Sequence, residues 1–157
     1  LAARSHDYAA RVLAREQKSG RMDEQKAQKL VARIHATTDF AALSGCEFVI
    51  EAVFEDRAVK ADVTARAEAV IEAESVFASN TSTLPISGLA EASYRPGNFI
   101  GMHFFSPVER MPLVEIIRGR QTDDVALARA LDLAKKLGKT PIVVNDSRGF
   151  YTSRVFA

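Results

Sequence analysis

The chain has 157 residues, 47% hydrophobic and 26% charged, with a formal net charge of +1. That composition suits one compact domain with a real core and argues against a disordered chain. The near-neutral balance gives no electrostatic case for nucleic acid or an acidic membrane surface, and no apolar run reaches the roughly 20 residues a bilayer span needs. One cysteine, Cys46, rules out an internal disulfide and points to a reducing, cytoplasmic setting. The first residues mix charges with alanines and lack an apolar signal core. They open at Leu1 in what reads as mid-helix, so the expectation is a fragment or a processed chain.

Taken in order, a first helix is predicted over about residues 5 to 19, with Tyr8, Val12 and Leu13 on its apolar stripe and Gly20 as its stop. Asp23 is placed to cap a second helix, whose inner face would carry Leu30, Val31 and Ile34. The run from Glu47 to Val53 is short, apolar and rich in branched residues, and reads as a buried strand. A helix from about Asp56 to Glu72 follows, then a strand from Val76 to Asn80 that breaks into Thr81-Ser82-Thr83. Pro85 to Gly97 reads as a short turn or helix and a loop. Strands are predicted at Phe99 to Phe105 and Leu113 to Arg118, a helix from Thr122–Asp124 to about Leu137 with Gly138 as its stop, and a last strand from Pro141 to Asn145. A further helix is expected from Gly149 onward. The alternation implies an α/β sheet that is at least partly parallel, and nothing in the sequence marks a domain boundary.

Two residues stand out. About seven residues join the strands at Phe99 and Leu113, too few for a parallel crossover, so the strands should pair antiparallel. A symmetric loop placing Phe105 opposite Leu113 puts His103 opposite Glu115, on one face and within reach. A carboxylate beside an imidazole fixes its tautomer and favours its protonated form, which makes a general base. By spacing alone, a packed strand histidine and an exposed strand glutamate are the plainer reading. The polar run Ser79 to Thr83 ends a strand, where ligands gather in open α/β sheets, yet it also fits turn chemistry. Glu55 and Lys60, taken alone, read as a helix-start acid and a solvated lysine. No metal-ligand cluster, P-loop or Gly-x-Gly-x-x-Gly is present.

Four stretches, Phe48–Glu55, Phe77–Ser82, Gly101–Pro107 and Met111–Ile117, together resemble the NAD-binding domain of the 3-hydroxyacyl-CoA dehydrogenases, most of all the dehydrogenase part of bacterial multifunctional fatty-acid oxidation proteins. The resemblance spans nearly the whole chain. It implies an incomplete Rossmann-like, doubly wound sheet, mostly parallel with an antiparallel hairpin. Residues 1–157 would be the C-terminal portion of that domain, without the Gly-rich first βαβ unit and without the family's helical C-terminal domain. It further implies oxidation of (3S)-3-hydroxyacyl-CoA to 3-oxoacyl-CoA with NAD. His103 falls on the catalytic base and Glu115 on the acid that orients it. Ser82 and Ser153 fall on substrate-contacting positions; Val53, Phe54, Glu55, Lys60, Ser82 and Ser106 fall on cofactor-contacting ones. Ser106 and Ser153 stand where the family usually has Asn, and a hydroxyl still donates and accepts. Without a first strand, the strand at Phe48 would be an exposed apolar edge, so little turnover from these residues alone and a homo-oligomer through that edge are expected. A non-catalytic nucleotide or acyl-CoA binding module and an inert fragment are the competing readings.

Overall fold

The computed structural model describes the backbone of residues 2–155 and the side chains of residues 6–152, 154 and 155. It divides into two compact units, residues 1–42 and 43–157. The sequence shows no such boundary. Between Val31 and Phe48 the chain forms no helix or strand beyond a 3-10 turn at Phe40–Leu43.

The first unit is a pair of helices, α1 (Ala2–Lys18) and α2 (Glu24–Val31), packed on each other. Gly20 takes a positive φ of 74° at the turn, a conformation that favours glycine. Asp23 caps α2 as expected, its Oδ1 accepting from the Lys26 N–H at 2.7 Å. The inner face of α2 differs from expectation. Ala27 is its buried residue, and Ile34 lies beyond the helix end, 38% exposed.

The second unit holds a five-stranded sheet of order β1-β2-β3-β4-β5. The strands are β1 (Phe48–Glu51), β2 (Val76–Ser79), β3 (Phe99–Phe104), β4 (Leu113–Arg118) and β5 (Thr140–Asn145). Only β3 and β4 pair antiparallel. The helices are α3 (Arg57–Glu68), α4 (Ile86–Leu89), α5 (Asp124–Lys136) and the short α6 (Thr152–Val155). This is the mostly parallel Rossmann-like sheet with one antiparallel hairpin that the sequence implies.

Period-two alternation sorts the sheet into two faces. Val76, Ala78, Ile100, Met102, Val114 and Ile116 form one core with Ala126, Ala130 and Ala134 of α5. The register puts Glu51, Ser79, Gly101, His103, Glu115 and Ile117 on the opposite face. Helix α4 approaches that face closely: a Cβ on Gly101 would lie 2.7 Å from the Ile86 side chain. Three layers result, with polar and titratable residues gathered at the carboxyl ends of β1, β2 and β3. Among the described residues no helix is long and apolar enough to cross a membrane.

Candidate active site

The hairpin register places His103 directly opposite Glu115. Both are buried, at 7% and 0% exposure, and His103 Nδ1 lies 2.7 Å from Glu115 Oε2. Glu115 collects further donors. Its Oε1 accepts from the Tyr151 N–H at 3.1 Å and the Thr152 N–H at 2.9 Å, and its Oε2 from the Thr152 hydroxyl at 2.9 Å. Burial pushes this carboxyl up, but the bonds from His103, from the Thr152 N–H and hydroxyl and from the Tyr151 N–H together hold it below the usual carboxylate range. An ionised carboxylate only accepts, so Nδ1 carries the shared proton and Nε2 is the nitrogen left for a substrate. The rings of Phe105 and Phe150 flank the imidazole, with centroids 4.6 and 6.2 Å away.

The turn that delivers Tyr151 and Thr152 is unusual. Gly149 and Phe150 both have positive φ, 75° and 48°, and Phe150 is fully buried. A bulky residue in the left-handed region is costly and persists where its surroundings dictate it.

A second cluster lies at the ends of β1 and β2. Glu55 Oε1 accepts from the Thr81 hydroxyl at 2.6 Å, the Ser82 and Thr83 N–H groups at 2.9 and 3.0 Å, and the Thr83 hydroxyl at 3.2 Å. Burial raises this carboxyl, but the Thr81 hydroxyl, the two N–H groups and nearby Lys60 leave it lowered overall. Thr81 also accepts from the Leu84 N–H at 2.9 Å, so the polar run is largely turn chemistry. Ser82 itself is exposed, its backbone held by Glu55.

Lys60 is not solvated. It is 1% exposed, and its Nζ donates to both oxygens of Glu51 at 2.9 and 3.1 Å, with Glu55 Oε2 3.6 Å away. Glu51 also accepts from the Ser79 hydroxyl and from the Val53 N–H. Asp56, not Glu55, caps α3, its Oδ1 accepting from the Val59 N–H. Phe54 is 86% exposed. Ser106 is exposed in the loop after β3, and the Ser153 side chain lies outside the described residues.

Glu51 and Thr152 were not legible as site residues in advance. Glu51 carried one signal, a charge at a core-facing strand position. Thr152 carried none, because its partner lies 37 residues away in sequence. Among the described residues no group of three or more His, Cys, Asp or Glu is placed to hold a metal ion.

An open α/β sheet with a carboxylate-backed histidine at the carboxyl ends of its strands has the layout of a dinucleotide-dependent dehydrogenase domain. The chain belongs to the family described as 3-hydroxyacyl-CoA dehydrogenase, NAD binding domain, which matches residues 1–147. Solved structures agree. M. tuberculosis FadB2 is 36% identical with a TM-score of 0.94, over 99% of this chain and 55% of that one. The (S)-3-hydroxybutyryl-CoA dehydrogenase PaaH1 from Ralstonia eutropha is 39% identical with a TM-score of 0.91, over 94% and 52%. The dehydrogenase part of multifunctional enzyme 1 from C. elegans is 34% identical with a TM-score of 0.74, over 83% and 30%. The chain thus spans about half the length of the first two.

Proposed function

We propose that the chain is the cofactor-binding part of an enzyme that oxidises (3S)-3-hydroxyacyl-CoA to 3-oxoacyl-CoA with NAD. The observation that carries this reading is the buried Glu115 carboxylate bonded to His103 Nδ1 at 2.7 Å. His103 takes the hydroxyl proton at Nε2, and Glu115 stabilises the imidazolium that forms. NAD, when bound, supplies the hydride acceptor. The strand ends fit that cofactor: exposed Phe54 beside Val53 offers apolar surface to a flat ring, and Ser82 and Ser106 offer hydroxyls. Glu55 holds the Ser82 loop, while Lys60 acts through Glu51 and Glu55 because its ammonium is buried. Ser82 and Ser153 are assigned to the substrate. The Ralstonia relative, an (S)-3-hydroxybutyryl-CoA dehydrogenase, supports the acyl-CoA substrate class, and the C. elegans relative, the dehydrogenase part of a multifunctional enzyme, supports a multifunctional parent. Fatty-acid β-oxidation in the cytoplasm is the setting in which this reaction fits. We also infer self-association through the outer edge of β1, which among the described residues pairs with β2.

In the full-length protein, His103→Ala should lower kcat for 3-hydroxybutyryl-CoA by roughly 10²–10⁴, the size of a general-base contribution, with calorimetric NADH binding retained. An unchanged kcat overturns the role of His103. Cofactor binding by the unaltered protein with no turnover would favour a non-catalytic nucleotide or acyl-CoA binding module.

A further inference from the structure

Oxygen Oε2 of Glu115 is shared. It accepts from His103 Nδ1 at 2.7 Å and from the Thr152 hydroxyl at 2.9 Å. Thr152 is 6% exposed, so water cannot readily take the place of its hydroxyl. Two donors on one oxygen compete for its charge, and each weakens the pull felt by the other. The remaining contacts of Glu115 are the Tyr151 and Thr152 N–H groups, and His103 is flanked by the rings of Phe105 and Phe150. Among these contacts His103 is the sole titratable partner of Glu115.

We propose that Thr152 is a positioning residue that tunes the proton-transfer pair: its hydroxyl holds the Glu115 carboxylate in line with His103 and moderates the hold of that carboxylate on the Nδ1 proton. This deepens the reading of His103 as the base and rests on it for its catalytic meaning. The hydrogen-bond competition itself stands on geometry alone. Valine matches threonine in shape but lacks the hydroxyl. Without that donor, Oε2 becomes more basic, the Nδ1–H bond tightens, and the pair keeps its proton to higher pH. A hydroxyl serving merely to satisfy a buried acceptor would change stability and leave the protonation of the pair in place.

The test uses the full-length protein and two readouts. Ring ¹⁵N signals of His103, assigned by their loss in His103→Gln, report protonation of the pair against pH. The acid limb of the kcat profile reports the same event during turnover. Thr152→Val should move both midpoints up by roughly half a pH unit, about what one neutral hydrogen bond supplies. Thr152→Ala should do the same if valine impairs folding, and Thr152→Ser should restore both midpoints. Unmoved midpoints in the valine and alanine variants, or no rescue by serine, overturn the proposal. A shifted ¹⁵N midpoint without NAD-dependent turnover upholds the tuning by Thr152 and overturns the dehydrogenase reading. Turnover with an unshifted ¹⁵N midpoint does the reverse.

Discussion

Glu115 has no exposed surface, and its two oxygens accept from His103, Tyr151 and Thr152. Those donors make the folded state prefer the ionised form, so this carboxyl titrates below its usual range. The unfolded chain then binds its proton first as pH falls. The stability Glu115 contributes is complete above the unfolded value of about 4.3 and is lost progressively as pH drops through it and then through the lowered folded value. Urea unfolding followed from about pH 6 to pH 3 should therefore show falling stability, and Glu115→Gln should flatten part of that slope. The amide would also set donors against donors, costing about 1–3 kcal/mol at neutral pH. An unchanged slope in the variant would show that Glu115 is not a source of the acid sensitivity. Glu55 adds to the slope with the same sign, weakened by its partial exposure. At this scale the sequence was informative about His103 and Glu115, because a short loop and strict alternation determine who faces whom. It was not informative about Thr152, whose role comes from a turn that folds back on the sheet.

Elements end where partners end them. The sequence pattern carries α3 on to Glu72, yet the helix stops at Glu68. Arg95 accounts for the difference: its guanidinium donates to the Glu68 carbonyl at 2.7 Å, a group that a helix continuing to Glu72 would have paired internally, and also to the Glu72 carbonyl at 2.6 Å. The Glu68 carboxylate is held by the Ser93 hydroxyl and the Tyr94 N–H. By contrast, α5 begins after Asp123 and gives way to Gly138 (φ 70°), as its local signals indicate. Between β1 and α3 the decisive contact is the buried Lys60–Glu51 pair, both side chains 2% exposed. Breaking such a pair leaves a buried charge without its main partner, so Lys60→Met or Glu51→Met should each cost about 3 kcal/mol. The double variant should cost clearly less than the two together, measured as a double-mutant cycle in denaturant. Additive losses would mean that the two groups do not depend on each other.

Across the whole sheet, β1 and β5 are the outer strands. Strand β1 pairs on one side with β2, and Ile50 in it is 38% exposed. A strand paired on one side is a template for pairing with another chain. Light scattering should detect concentration-dependent association, and Ile50→Lys should suppress it; a clean monomer at all concentrations would remove the self-association reading. The sequence by itself determined the alternation of strands and helices, most element positions and caps, and the facing of His103 and Glu115, because periodicity, cap chemistry and loop length act over a few residues. Only the tertiary structure decided that Lys60 is buried, that Glu51 and Thr152 join the polar clusters, that α3 yields to Arg95, and that residues 1–42 form a separate unit. Thr152 and Arg95 act on partners 37 and 27 residues away, and Lys60 is buried only because α3 packs back against the end of β1; such contacts form only once the sheet has set which face, and which strand end, the partners share.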